Sequence, residues 1–88
     1  MEYKAYVLIQ AEKGEGDTVA TELSGKQGIL TVDRVFGQHD LVAVIEAHDL
    51  GGLVLIVRNA IAPSRHVART ETLIVTSGMN PPPGKAGK

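Results

Sequence analysis

LTVDRVFGQHDLVAVIEA, residues 30–47, reads as two short strands joined by a tight polar turn, Gly37-Gln38-His39-Asp40. Before the turn, Leu30, Val32 and Val35-Phe36 predict a half-buried strand. After it, Leu41-Val42-Ala43-Val44-Ile45 is a continuous apolar run. Gly37 frees the backbone from Cβ constraints, and Asp40 can hydrogen-bond nearby backbone groups and set the turn. A hairpin therefore stands mid-chain, with strand and helix signals on either side.

Outward from the hairpin, YKAYVLIQA (residues 3–11) is rich in strand formers. Tyr3, Ala5, Val7 and Ile9 alternate with Lys4, Tyr6, Leu8 and Gln10, and both sets carry apolar residues. The pattern predicts a central strand covered on both faces. A loop at 12–16 precedes a helix over 17–24, with Asp17 as expected N-cap, Val19, Ala20 and Leu23 on one face, and Gly25 as its stop. Past the hairpin, Asp49 is the expected N-cap of a second helix. Leu50, Leu53, Val54, Val57, Ala60 and Ile61 follow at helical spacing, and Pro63 ends the segment. SRHVARTETLIVT (residues 64–76) predicts a last strand whose Leu73-Ile74-Val75 end is buried on both faces.

After Ser77 the apolar periodicity stops, and three consecutive prolines within residues 78–88 read as a disordered tail. The expected domain is thus residues 1–77.

The order strand–helix–strand–strand–helix–strand, with right-handed crossovers, predicts an α+β fold. It is a ferredoxin-like βαββαβ unit with a four-stranded antiparallel sheet in the order 4-1-3-2 and both helices on one face. The other face then has no helix over it, although its strands carry apolar residues. A second copy placed by a twofold axis is the expected cover, so the domain is expected to be dimeric through the sheet.

Composition narrows the function. The 88 residues suit one domain, 43% hydrophobic but only 3% aromatic, so the core must come from Val, Ile, Leu and Ala. Nine basic and ten acidic side chains leave a formal charge of −1 and no basic stripe, which argues against nucleic-acid binding. The absence of cysteine excludes disulfides and thiolate metal sites. No apolar run approaches a bilayer span, and the start does not resemble a signal peptide, so a cytoplasmic location without membrane contact is expected.

His39 opens the third strand and His48 closes it, which separates them. His66 is expected near the His48 end, on a fourth strand taken to run opposite to the third. No metal site is expected from this set. No cofactor is indicated. With no nucleophile–base pair, no catalytic residue is assigned and a non-enzyme is expected. Asp33 and Arg34 suit an edge strand. Arg69 and Glu71 share a face as a solvated pair or reach a neighbouring subunit.

Two sets of residues suit ligand binding. Gly37, Gln38, His39 and Asp40 form a turn whose backbone N–H groups can bind a carboxylate, while Asp40 can take an ammonium group. Thr70 and Thr72 present two hydroxyls on one strand face. On residue types alone, the first set serves a hairpin equally well and the second is ordinary strand composition.

The run Val35–Ala47, VFGQHDLVAVIEA, resembles the hairpin of the Lrp/AsnC effector-binding domain, whose pattern is Gly, a variable residue, an aromatic or similar residue, then Asp before an apolar strand. Val67–Val75, VARTETLIV, resembles that domain's last strand. His39 stands where the family often has an aromatic residue. The resemblance covers about residues 3–76 and implies a stand-alone ligand-binding (RAM) domain without the helix-turn-helix. It further implies a homo-oligomer built of dimers, with amino-acid-like effectors between subunits and a role related to transcription regulation without direct DNA contact. Gly37–Asp40, Thr70 and Thr72 would then line the effector cleft. Two other readings share the element order: a small dimeric α+β barrel enzyme such as a monooxygenase, and an interaction module that co-assembles with full-length family members.

Overall fold

The computed structural model describes residues 2–76, so the expected tail at 78–88 lies outside the described residues. Strand β1 (Tyr3–Ala11) leads to helix α1 (Gly16–Leu23), then strands β2 (Ile29–Arg34) and β3 (Leu41–Ala47). Helix α2 (Leu50–Ile56) continues into a π-helical turn, Val57–Ile61, and strand β4 (Val67–Ile74) closes the fold. The sheet runs β2-β3-β1-β4 with every neighbouring pair antiparallel, which is the expected ferredoxin-like order.

Register explains the core. Ala5, Val7 and Ile9 of β1 pair with Ile45, Ala43 and Leu41 of β3, and all six are fully buried beneath the helices. Val19 and Leu23 of α1 and Leu53 and Ile61 of the second helical segment complete this layer. The side chains are aliphatic and no polar side chain is buried among the described residues, so the core is a plain Val-Ile-Leu-Ala packing. Helix α1 packs on β2, and α2 packs on β3 and β1. Neither helix lies squarely over β4.

Several local expectations change. Glu15, not Asp17, holds the N-cap position of α1, and it makes no side-chain cap bond. Asp17 lies inside the first turn and pairs with the Arg34 guanidinium of β2. Gly16 permits this, because a Cβ there would sit 2.8 Å from Arg34 Cζ. At α2 the capping expectation holds: Asp49 Oδ1 accepts from the Gly52 N–H at 2.7 Å.

The buried stripe of the second helix is rotated from the predicted one. Leu53 and Ile61 are buried, and Ile56, Val57 and Ala60 are partly so, but Leu50 and Val54 are nearly half exposed. Both departures precede the π-helical turn, in which the Ala62 N–H reaches the Val57 carbonyl, and the predicted residues of that turn, Val57, Ala60 and Ile61, are at least partly covered. The buried stripe faces β1 and β3, and Val54 lies beside β4 instead.

Strand β4 begins at Val67, not Ser64, because Ser64–His66 form a turn in which His66 takes φ 72°. Its Leu73–Ile74 end is exposed in the single chain rather than buried on both faces, since β4 is an edge strand without a helix above it. Likewise β1 is covered on one face only: Tyr6 is exposed and Leu8 partly so.

Candidate functional site

The hairpin turn is anchored from outside itself. Asp40 Oδ2 accepts from the Ala11 N–H at 2.8 Å, at the end of β1, although 29 residues separate the two. The Asp40 N–H donates to Ile9 O at 2.8 Å, and its carbonyl accepts from the Val35 N–H at 2.9 Å. The carboxylate thus supplies the acceptor for a backbone donor that the β1–β3 ladder leaves unpaired. Gly37 takes φ 155° and would meet no atom if it carried a Cβ, so the turn needs its backbone freedom rather than its small volume.

Crossing over the end of β1 brings the turn to β4. His39 Nε2 lies 3.8 Å from Glu71 Oε1. Gln38 and His39 join Gln10 of β1 and Arg69, Thr70 and Glu71 of β4 around an open cavity of about 250 Å³. The sheet register accounts for this. Gln10 is the Cα partner of Arg69 and Leu8 that of Glu71, so Gln10, Arg69 and Glu71 share the face without helices.

The two threonines part company. Thr70 lines the hairpin-tip cavity, whereas Thr72 lines a separate apolar groove of about 260 Å³ between α2 and β4, with Leu53, Val54, Val57, Arg58 and Ile74. Asp40 lines a third, smaller polar recess with Glu12, Gly14, Gly16, Asp17 and Arg34. Of the six residues singled out in the sequence, the cavity at the hairpin tip gathers Gln38, His39 and Thr70.

Histidine placement also differs from expectation. Strands β3 and β4 are both antiparallel to β1 and therefore parallel to each other. His66, at the start of β4, accordingly sits at the His39 end of the sheet and away from His48. Its Nδ1 lies 2.9 Å from Glu12 Oε1, and its carbonyl accepts from the Glu12 N–H at 2.7 Å, which ties the β1–α1 loop to β4. His48 Nδ1 lies 2.8 Å from Glu2 Oε2 at the opposite end. No group of three potential metal-ligating side chains converges among the described residues.

Gln10, Arg69 and Glu71 were not assigned to a ligand from sequence. Their participation depends on register across two strands and on a turn that folds over a third, which no local pattern reports. The nearest signal was the shared face of Arg69 and Glu71.

The uncovered face has an organised composition. Tyr6, Leu8, Val42, Val44 and Leu73 form its centre, all at least partly exposed. Lys4, Glu46 and Asp33 lie towards its margins, and Gln10, Arg69 and Glu71 lie at the hairpin end.

Comparison with known proteins places this geometry. Residues 4–83 match the family described as the Lrp/AsnC ligand binding domain. No curated protein matches the chain by sequence. Among solved structures, TTHA0845 from Thermus thermophilus superposes with a TM-score of 0.79 at 29% identity, over 83% of this chain and 91% of its own. AsnC of E. coli superposes with a TM-score of 0.78 at 16% identity, over 83% of this chain and 50% of its own. A transcriptional regulator of Neisseria meningitidis, crystallised as an L-Met complex, gives 0.76 at 12% identity, over 89% of this chain and 52% of its own. The latter two show the fold alone, and the chain spans about half the length of each.

Proposed function

Because the chain belongs to the Lrp/AsnC ligand-binding domain family, we propose that it is an effector-binding module whose assembly state responds to a small amino-acid-like molecule. The match is to a ligand-binding domain and not to an enzyme. Two copies pack through the uncovered sheet faces, and the resulting dimers assemble further. The effector binds at subunit interfaces formed around the hairpin, with Gly37, Gln38, His39, Asp40, Thr70 and Thr72 as contributors. The action is regulatory and transcription-related, in the cytoplasm, with no direct nucleic-acid or membrane contact by this domain.

The observation that carries this reading is the apolar centre of the uncovered face. Tyr6, Leu8, Val42, Val44 and Leu73 are contiguous across three strands, and a face of this kind is seldom left in water. Mutual burial removes it from solvent at both copies under one twofold operation. Phe36, the one phenylalanine in the chain, is fully exposed beside the hairpin, and Val35 next to it is also exposed; both suit further contact between dimers. The L-Met complex of the Neisseria relative supports an amino-acid class of effector.

The mechanism is linkage. A ligand bound only where subunits meet stabilises the assembled state by RT ln(1 + [L]/Kd), about 2.7 kcal/mol at a hundredfold excess over Kd. Thermal unfolding tests both parts at once, measured across a range of protein concentrations and then at fixed concentration against a panel of amino acids. The expected result is a Tm that rises with protein concentration and rises again with one chemical class of amino acid. A Tm indifferent to both would refute the reading.

A further inference from the structure

The groove between α2 and β4 has apolar walls and one polar end. It holds about 260 Å³ and is lined by Leu53, Val54, Val57 and Arg58 of the second helical segment and by Thr72 and Ile74 of β4. Register supplies one wall. Thr72 pairs with Val7 and Ile74 with Ala5, both core residues, so the two β4 side chains face the helix layer. Helix α2 packs on β3 and β1, which leaves that row of β4 open beside the helix. Helical spacing supplies the other wall: Val57 stands one turn beyond Leu53, and Arg58 one turn beyond Val54.

The groove is polarised along its length. Ala5 pairs with both Ile45 and Ile74, so β4 ends where β3 ends and α2 begins. Helix α2 therefore runs back along β4 from the Ile74 end. Leu53, Val54 and Ile74 take the apolar end, and Arg58 and Thr72 the polar one. Among the described residues Arg58 makes no ion pair and no side-chain hydrogen bond, and the Thr72 hydroxyl is also unpaired. No carboxylate lines the groove. Val54 and Ile74 remain 48% and 42% exposed, so the apolar wall is unpartnered too. Arg58 lies in the π-helical turn Val57–Ile61, a kind of helix irregularity frequent at functional sites.

We propose that this groove binds an aliphatic monocarboxylate. The Arg58 guanidinium is a fork-shaped donor for the carboxylate, and the Thr72 hydroxyl donates to the same group. The aliphatic chain lies against Leu53, Val54, Val57 and Ile74 and removes their exposed surface from water. A few polar groups at one end of an apolar lining fix orientation as well as affinity. The charge pattern selects against an α-amino acid: its ammonium group would enter beside a guanidinium and find no carboxylate acceptor. An aliphatic amine is repelled for the same reason, and an alcohol of equal length forfeits the charge-assisted bonds to Arg58. The site lies on the helix layer, away from the uncovered sheet face. It shares only Thr72 with the effector reading above and does not depend on that reading.

Isothermal titration of the full chain with octanoate, 4-methyl-2-oxopentanoate, octan-1-ol and octylamine tests the proposal, alongside the variants Arg58→Gln and Val54→Asp. Both positions are exposed, and circular dichroism verifies that each variant keeps its fold. At least one of the two acids should bind roughly tenfold or more tighter than the alcohol and the amine. Arg58→Gln should lose roughly tenfold or more in affinity for that acid, and Val54→Asp, which sets a carboxylate beside the aliphatic chain, should lose a similar factor. Preference for octanoate names a fatty acid as the source and preference for the branched acid a 2-oxo acid; either supports the carboxylate class. Equal binding of alcohol or amine, undiminished acid binding by folded Arg58→Gln, or no binding of either acid would overturn the proposal and leave the effector reading untouched.

Discussion

Replacing Asp40 by alanine should destabilise the domain before it affects anything else. The carboxylate accepts from the Ala11 N–H at 2.8 Å, in a partly buried position where water cannot fully replace it. The substitution leaves the two backbone bonds of residue 40 intact, to Ile9 O and from the Val35 N–H, so the loss is confined to the side chain. A hydrogen bond to a charged group contributes about 1.5–3 kcal/mol, and the orphaned N–H at Ala11 keeps the cost in that range. For a domain of this length each kcal/mol moves Tm by about 4–8 °C, so a loss of about 1.5–3 kcal/mol at Asp40→Ala should lower Tm by about 6–24 °C. Asp40→Asn retains an acceptor oxygen and loses only the charge assistance, roughly half the effect. Urea denaturation of the three proteins at one fixed concentration measures this, because an oligomer's midpoint depends on concentration. An Asp40→Ala protein within about 0.5 kcal/mol of the parent would refute the anchoring role. The result also bears on function: Asp40→Asn, which preserves the anchor, is the variant in which loss of effector response can be read as loss of ligand contact.

Two further outcomes test local packing. Gly28 has φ +88° and a Cβ there would lie 2.6 Å from Ile56 Cδ1, whereas Gly25 has φ +87° and open space. Gly25→Ala should cost about 1–2 kcal/mol of backbone strain and Gly28→Ala about 1–3 kcal/mol more for displacing Ile56, both read by urea denaturation; equal losses would contradict the close approach of Ile56 to Gly28. Asp49→Ala should lose about 1 kcal/mol by removing a helix cap, while Asp17→Ala, which removes only an exposed ion pair, should stay within about 0.5 kcal/mol of the parent; the reverse order in melting experiments would mean that α1 is capped by Asp17 after all.

Much of the fold was legible because its signals are local. The alternation in Tyr3–Ala11, the Gly37–Asp40 turn and the Asp49 cap each sit within a few residues, and the element order alone leaves few topologies. Expectations failed where two segments compete for one role. Asp17 has the chemistry of a cap, but Arg34, seventeen residues away, claims its carboxylate. The apolar spacing of Leu50–Ile61 assumes that the whole stripe is covered, but α2 packs on β3 and β1, which bury Leu53 and leave Leu50 and Val54 nearly half exposed. His66 lies at the His39 end because β3 and β4 are each antiparallel to β1 and so parallel to each other, a relation carried by two ladders and by no local pattern.

The sequence by itself determined which residues are apolar, where the chain turns, and hence a four-stranded sheet with one face left uncovered. Those follow from short-range sterics and hydrophobic periodicity, which act along the chain. Only the tertiary structure decided that Gln10, Gln38, His39, Arg69, Thr70 and Glu71 surround one cavity and that Thr72 belongs to another. Such a grouping depends on pairing register and on a turn folding over a strand, and a single residue of slip would send Arg69 and Glu71 to the opposite face.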